Sequence, residues 1–318
     1  MNKQSLSIIL AGLFFSLILS GCTGRRTTDK PTTTNDTIAQ TGFPFPDIPQ
    51  VIVNPDERAE YLLLHYWDNF DFGDTLLLKN TAVTEQGIVD YLSLMADYPA
   101  PATIRESFSN LCTRFGTHAE AVKEITSLIG KYLYDTNSPQ HNEALFDLFL
   151  QCLTEQPAVQ GNAAFSRWQF LQKLIRQNRP GSPANNFTCY TPDGRQHTLY
   201  SLAKGPNTLL LFYDPECSNC QQALLEMKGC HDLDTAIDQG IVTVVAVYTE
   251  ADEDTWQNSL GEMPDKWHVV TDRGGIAEKA LYDLKAMPSM YLLDADKKVV
   301  LKDATFADVC RQMGFRPV

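Results

Sequence analysis

Apolar and polar positions along this chain follow two different periods, and the change falls near Gly181. Over residues 55–179 the apolar residues recur every three or four positions, as the helices of a packed bundle require. Pro55-Asp56-Glu57 opens the first segment, in which Tyr61, Leu62, Leu64, His65 and Trp67 keep a helical register. The spacing predicts further helices over 85–97, 102–115, 118–133, 142–153 and 163–177. Pro99 and Pro101 precede one of them, Gly116 follows it, and Asn137-Ser138-Pro139 separates two others. After Gly181 the pattern turns to short strands. Segments 187–190 and 196–199 flank Pro192-Asp193-Gly194, a turn that closes a hairpin. Segment 208–213 is apolar enough for a strand buried on both faces. A helix over 218–228 follows, then a valine-rich strand over 241–248, a helix near 254–259, a short strand at 267–270 and a helix at 276–282. Beyond Met287-Pro288 come strands at 289–293 and 298–303, joined by Asp294-Ala295-Asp296, and a last helix at 306–313. The fold class expected is an all-α helical domain followed by an α/β sandwich.

The amino-terminal stretch belongs to neither half. Lys3 gives a short positive start, and Leu6 to Leu19 form an apolar run too short and too soon followed by polar sequence for a membrane span. It ends in Leu19-Ser20-Gly21-Cys22, which resembles a bacterial lipobox. That resemblance implies cleavage before Cys22 and lipidation of its sulfur and new amino terminus, an anchor of several acyl chains. The alternative is an ordinary cleaved signal with a chance cysteine. Residues 23–50, rich in Thr, Pro, Asn and Asp, read as a flexible tether. No acidic cluster follows Cys22. In the lipoproteins of Bacteroidetes, which this segment resembles, such clusters mark export to the cell surface, so a periplasm-facing anchor is expected.

Composition narrows the function. At 318 residues the chain is too long for one ordinary core. A net charge of -13, spread along the chain, excludes nucleic acid as a partner, because phosphate binding needs a basic face. Export places the cysteines in an oxidising or redox-managed compartment. Setting Cys22 aside leaves Cys112, Cys152, Cys189, Cys217, Cys220, Cys230 and Cys310, an odd number with irregular spacing outside one pair. That is no disulfide framework.

The pair is Cys217 and Cys220, in Phe212-Tyr213-Asp214-Pro215-Glu216-Cys217-Ser218-Asn219-Cys220, where a buried strand gives way to a helix. A cysteine at a helix start meets unsatisfied N–H groups and the positive end of the macrodipole, both of which favour a thiolate. Two intervening residues bring Cys220 to the same end of the helix. The outer sulfur can then attack a disulfide and the inner one resolve the mixed disulfide.

On this junction, the β-α-β spacing and Met287-Pro288, the last ~140 residues resemble a thioredoxin fold of the TlpA-like branch found in exported bacterial reductases. The resemblance implies that Pro288 is cis and lies against the cysteines, and that Met287 offers backbone groups to a bound substrate peptide. Without the family, a trans proline in a loop is the ordinary expectation, since only about 5% of X–Pro bonds are cis. The chain departs from thioredoxin in having Glu216 where tryptophan precedes the first cysteine, and Ser218-Asn219 between the two; the direction of electron flow is therefore left open. Glu216 has two readings, a proton-transfer group for the resolving thiol and an exposed bystander. The helical half resembles an uncharacterised helical domain that precedes thioredoxin domains in Bacteroidetes lipoproteins, which implies no activity. The organisation expected is a signal peptide at 1–21, a tether at 22–50, the helical domain at 51–178 and the thioredoxin-like domain at 179–318.

Other chemistries fit less well. Cys217, Cys220, Cys230 and His231 could form a zinc set, but a helix between Cys220 and Cys230 holds them ~15 Å apart. Peroxiredoxins carry Thr or Ser three residues before their cysteine, where this chain has Asp214. Copper-chaperone relatives use a wider cysteine spacing with a later histidine, and His268 falls in an expected strand. The aromatic stripes at 61–70 and 132–134, with His65 and His141, read as core. The expected function is a lipid-anchored thiol-disulfide oxidoreductase of the cell envelope, acting on exported protein thiols or disulfides. It needs no metal, nucleotide or flavin within the chain and draws electrons from a membrane thiol donor. The alternative is a lipid-anchored binding or scaffold protein whose helical domain recognises a partner.

Overall fold

The computed structural model describes residues 42–96 and 98–316. Cys22, the apolar run before it and most of the tether lie outside the described residues. Among the described residues, no helix is long and apolar enough to cross a membrane.

The first half is built of helices Pro55–His65, Thr75–Leu78, Thr84–Ala96, Pro101–Phe115, Ala119–Leu133, Glu143–Thr154 and Phe165–Ile175. Their starts follow local chemistry. Asn54 accepts from the Asp56 and Glu57 N–H groups, Asn142 accepts from Leu145, and Pro55 and Pro101 occupy first-turn positions that need no donor. The aromatic stripe is core: Tyr66, Trp67, Phe70, Tyr91, Phe108 and Phe149 are buried together. Each such side chain contributes about 1.5–3 kcal/mol by leaving water. The Tyr91 hydroxyl is satisfied locally, with Ser107 Oγ 2.7 Å away and Ser107 donating to Leu63 O at 2.6 Å, whereas buried Trp67 Nε1 has no hydrogen-bond partner among the described residues. The four-residue helix Thr75–Leu78, capped by Asp74, is too short for its period to show in the sequence.

The expected tether boundary at residue 50 is corrected. Phe43 packs on Tyr66, Trp67 and Phe70, with ring centroids 4.8, 5.1 and 5.8 Å away. Gly87 makes room for it, since a Cβ there would come within 2.3 Å of the Phe43 ring. Isolated apolar residues among prolines carry no periodic signal, so this lid on the core was read as linker.

The second half is a seven-stranded mixed sheet in the order β2-β1-β5-β4-β3-β6-β7. The strands are β1 (Thr188–Tyr190), β2 (Gln196–Thr198), β3 (Asn207–Tyr213), β4 (Val242–Tyr248), β5 (His268–Thr271), β6 (Ser289–Leu293) and β7 (Val299–Ala304). β3, β4 and β5 run parallel, and β6 runs antiparallel to both β3 and β7. Central β3 feeds two cores. Leu209, Leu211 and Tyr213 pack with Leu224, Met227 and Val309, whereas Leu210 and Phe212 pack with Leu199, Ile276 and Tyr282.

Two helix expectations change. The segment expected to be helical over 276–282 is helical only over Gly275–Glu278. Ala280 takes φ 49°, and the Ala280 and Leu281 carbonyls are claimed by the amides of Gln177 and Asn178 at 3.0 and 2.8 Å. The Leu281 N–H bonds back to the Ile276 carbonyl at 3.0 Å around left-handed Ala280, which ends the helix, and the two amides take carbonyls that the cap leaves free. A helix not expected, His231–Asp238, starts directly after Ser218–Gly229, with Cys230 between them in an extended conformation. Only Leu233 and Ala236 of it are buried, too few to mark a period.

The halves meet through polar groups. The Tyr134 hydroxyl donates to both Asp283 oxygens (2.9 and 2.8 Å), and Glu143 pairs with Lys285 and, at 2.7 Å, with Lys302.

Candidate active site

β3 ends at Tyr213, and the chain turns through Asp214-Pro215-Glu216 into the helix Ser218–Gly229. The turn is held by Asp214. Its side chain accepts from the Glu216 N–H at 2.9 Å, and its carbonyl accepts from the Cys217 N–H at 3.2 Å. Cys217 is the N-cap residue, with φ -81° and ψ 121°, and is half-buried. Cys220, one turn in, is fully buried.

The sequence places Cys217 at the helix mouth, and that is where it lies, but its sulfur does not cap the helix N–H groups. Instead Cys217 Sγ donates to the Met287 carbonyl at 3.6 Å. Caps are made by oxygen-bearing side chains, which accept from N–H groups far better than a thiol does, and the thiol here reaches across to the neighbouring loop. Cys220 Sγ accepts from the Asp214 N–H at 3.4 Å. Burial pushes the Cys220 thiol up to about 12, against the Asp214 N–H, which favours its thiolate; the adjacent Cys217 thiol adds to the upward shift. The inner sulfur is therefore a thiol at neutral pH, sheltered behind the outer one.

The Met287–Pro288 peptide bond is cis. It brings Met287 O to Cys217 and starts β6 at Ser289, next to β3. Cys217, Cys220, Met287 and Pro288, far apart in the chain, are thus gathered at one end of the sheet. Glu216 is exposed, and its side chain takes no hydrogen bond among the described residues. The group joined to Cys220 is the Asp214 backbone N–H, and the Asp214 side chain is spent on the Glu216 N–H. Cys230 is buried at the far end of the Ser218–Gly229 helix. His65 stacks on Tyr61 and pairs with Asp68 at 2.8 Å, remote from the cysteines.

Behind the Met287 loop lies a cluster that sequence reasoning missed. β7 carries a bulge between Leu301 and Ala304, and Asp303 within it takes φ 50°. Its Oδ1 accepts from Ser289 Oγ at 3.1 Å, and its Oδ2 lies 3.2 Å from Lys285 Nζ. Burial pushes the Asp283 carboxyl up, with Lys285 and Tyr134 only partly offsetting it. Burial would also raise Glu143, but the charges and hydrogen bonds of Lys285 and Lys302 outweigh it and hold Glu143 below the ordinary glutamate value of 4.5. No spacing in the sequence joins Glu143 to residues about 140 positions later.

A cysteine pair at a strand-to-helix junction, facing a cis-proline loop at one end of a mixed sheet, defines the thioredoxin-fold class. The crystal structure of a thioredoxin-like protein from Bacteroides caccae is similar to this chain, with 34% identity, a TM-score of 0.73, and 86% of this chain and 98% of that one covered. The chain belongs to the same thioredoxin-like family. Residues 21–178 match the family model described as a domain of unknown function, DUF5106. The C-terminal domain of an uncharacterized protein from Bacteroides fragilis is 32% identical over 43% of this chain and 98% of that one, with a TM-score of 0.42. The thioredoxin domain of a thiol-disulfide oxidoreductase from Bacteroides vulgatus is 23% identical over 43% of this chain and 96% of that one, with a TM-score of 0.36. No curated protein matches the chain.

Proposed function

We propose that this protein is a lipid-anchored thiol-disulfide oxidoreductase of the TlpA-like type, held in the cell envelope by Cys22 and facing the periplasm. The observation that carries the reading is the half-buried Cys217 sulfur against the Met287 carbonyl, with Cys220 buried one helical turn behind it. In the reducing direction, the Cys217 thiolate attacks one sulfur of a substrate disulfide and expels the other as a thiolate, which takes a proton. Cys220 then gives up its proton and attacks Cys217 Sγ, forming the Cys217–Cys220 disulfide and releasing the second substrate thiol. Two electrons and two protons pass to the substrate. An upstream membrane dithiol carrier returns them by the same exchange in reverse. Met287 would hold the substrate backbone and Pro288 would shape that contact. Glu216 is assigned no step, because its side chain is exposed.

The test is reduction of insulin by the intact protein and by Cys217→Ser. Loss of activity in the variant is the expected outcome, and equal rates in both would end the enzymatic reading. Cys220→Ala should accumulate mixed disulfides with exported proteins, because the first attack remains and the resolving step is gone.

A further inference from the structure

A groove of about 310 Å³ is lined by Asn219, which lies between the two cysteines in the chain, and by Met287, whose carbonyl meets Cys217, and its walls come from both halves of the chain. Asn219 and Gln222, on the helix that follows Cys217, form one side, and Met287-Pro288 forms another. Thr136 and Asn137, from the helical half, line it as well. Those two residues sit in the loop between helices Ala119–Leu133 and Glu143–Thr154.

That loop is fixed at both ends to the segment that leads into the cis-proline. At one end Tyr134 bonds both oxygens of Asp283, and Lys285 Nζ lies 4.5 Å from the centre of the Tyr134 ring. At the other end Glu143 pairs with Lys285, two residues before Met287. Within the loop, Asp135 Oδ1 accepts from the Asn137 N–H at 2.9 Å and from its side-chain amide at 3.1 Å. The turn is therefore tied at both ends to the segment that leads into Met287.

The groups that face the groove are mostly neutral donors and acceptors: the side-chain amides of Asn137, Asn219 and Gln222, and the Thr136 hydroxyl. Three charged residues also line it and each is partnered: Glu226 accepts from Gln222 Nε2 at 2.9 Å, and Lys285 lies 3.2 Å from Asp303. Such a surface matches the alternating N–H and C=O of an extended peptide better than it matches a charged small molecule. Its volume lies at the lower end of ligand pockets, about 300–1,000 Å³, room for a short stretch of chain flanking a cysteine.

We infer that the Thr136–Asn137 turn is the far wall of the substrate site, so that the helical half selects polypeptide disulfides over small ones. This rests on the thiol-disulfide exchange reading above. The test uses the full chain, Asn137→Ala and Asn137→Trp, with kcat and KM measured for insulin and for the neutral hydroxyethyl disulfide. Asn137 is exposed, so either side chain can be accommodated without entering a core. The expected result is a fall of about tenfold in the insulin-to-small-disulfide ratio of kcat/KM for Asn137→Trp, expressed mainly in KM, with a smaller fall for Asn137→Ala. A ratio within about twofold of the parent for both variants overturns the inference while leaving the exchange reading intact. Parent protein that reduces the small disulfide but not insulin overturns it too. Parent protein that reduces neither removes the exchange reading itself.

Discussion

Replacing Glu143 with Gln should destabilise the protein by about 3 kcal/mol at neutral pH, and the geometry says why the figure sits there. Glu143 is 16% exposed and bridges two lysines, Lys285 at 10% and Lys302 at 5%. Removing one partner of a buried pair costs about 3–5 kcal/mol, because the other charge is left without compensation. Two facts pull the value to the low end. Lys285 keeps Asp303 at 3.2 Å and Asp283 at 3.5 Å, so only Lys302 loses its carboxylate and is left with the Ile175 carbonyl at 3.1 Å. A glutamine can also still accept one hydrogen bond. At about 2–4 °C per kcal/mol for a chain near this size, Tm should fall by about 6–12 °C. Glu143→Gln and the parent should be compared by urea unfolding at neutral pH and at about pH 3, with Glu155→Gln as control. The control pair, Arg105–Glu155 at 2.7 Å, is exposed and should be worth under about 1 kcal/mol. The sign of the pH effect is fixed. Because Glu143 is held below 4.5 in the folded protein, its stabilisation is present above that value and is lost as pH falls through the lower folded value. Asp283 is raised mainly by burial and acts in the opposite sense in both proteins, and only the Glu143 part of its shift, the smallest of its causes, differs between them. The gap between variant and parent should therefore close in acid. A gap below about 1 kcal/mol at neutral pH, or one that persists unchanged in acid, would refute the buried bridge.

Two further outcomes follow from the same coordinates. In the reduced native protein near neutral pH, iodoacetamide should modify one of the seven described cysteines, Cys217, as read by mass spectrometry; Cys220 and Cys189 are pushed up to about 12 and Cys152 and Cys310 to about 11 by burial, Cys112 is well above the ordinary thiol value, and Cys230 is buried. Appreciable labelling of Cys220 would contradict its sheltered position. Phe43→Ala should cost about 2 kcal/mol in urea unfolding, less than the 3–5 kcal/mol of a fully buried ring because Phe43 is half-buried, and a loss under about 0.5 kcal/mol would return that residue to the tether.

What the sequence revealed and what it concealed divide along one physical line. Periodicity reports burial of apolar residues within a single element, so the helices of the first half and the strands around Leu209–Tyr213 could be read directly. The cysteine pair could be read as well, because strand, turn and helix are contiguous there. Elements stabilised from elsewhere could not. The helix Gly275–Glu278 gives way to a stretch whose Ala280 and Leu281 carbonyls are held by Gln177 and Asn178, about 100 residues earlier. Phe43 joins a core whose buried members begin at Leu63, 20 residues later. Asn137 read as helix punctuation, and nothing local distinguishes a turn on the surface from a turn in the wall of a groove. Lys285, Lys302 and Glu143 carry no mark in the sequence, since a lone charged residue is usually solvated.

The chemistry of the seam between the halves bears on what the helical half is for. The two halves keep separate apolar cores, and the groups that join them are carboxylates, ammoniums, a phenol and amides. Apolar contact is non-directional and tolerates sliding, whereas a buried carboxylate between two lysines holds only in one geometry and is costly in any other. Both ends of the Tyr134 to Glu143 loop grip the stretch from Asp283 to Lys285, and that stretch runs straight into Met287 and Pro288. A helical half serving only as a spacer would have no physical need to be fixed to that segment in particular. Fixing it there keeps Asn137 at a constant place across the groove from Asn219 and ties the placement of the Met287 carbonyl, and hence the contact to Cys217, to residues of the helical half. Disturbing Glu143 should then be felt at the cysteines as well as in stability, even though no atom of Glu143 belongs to the reacting pair.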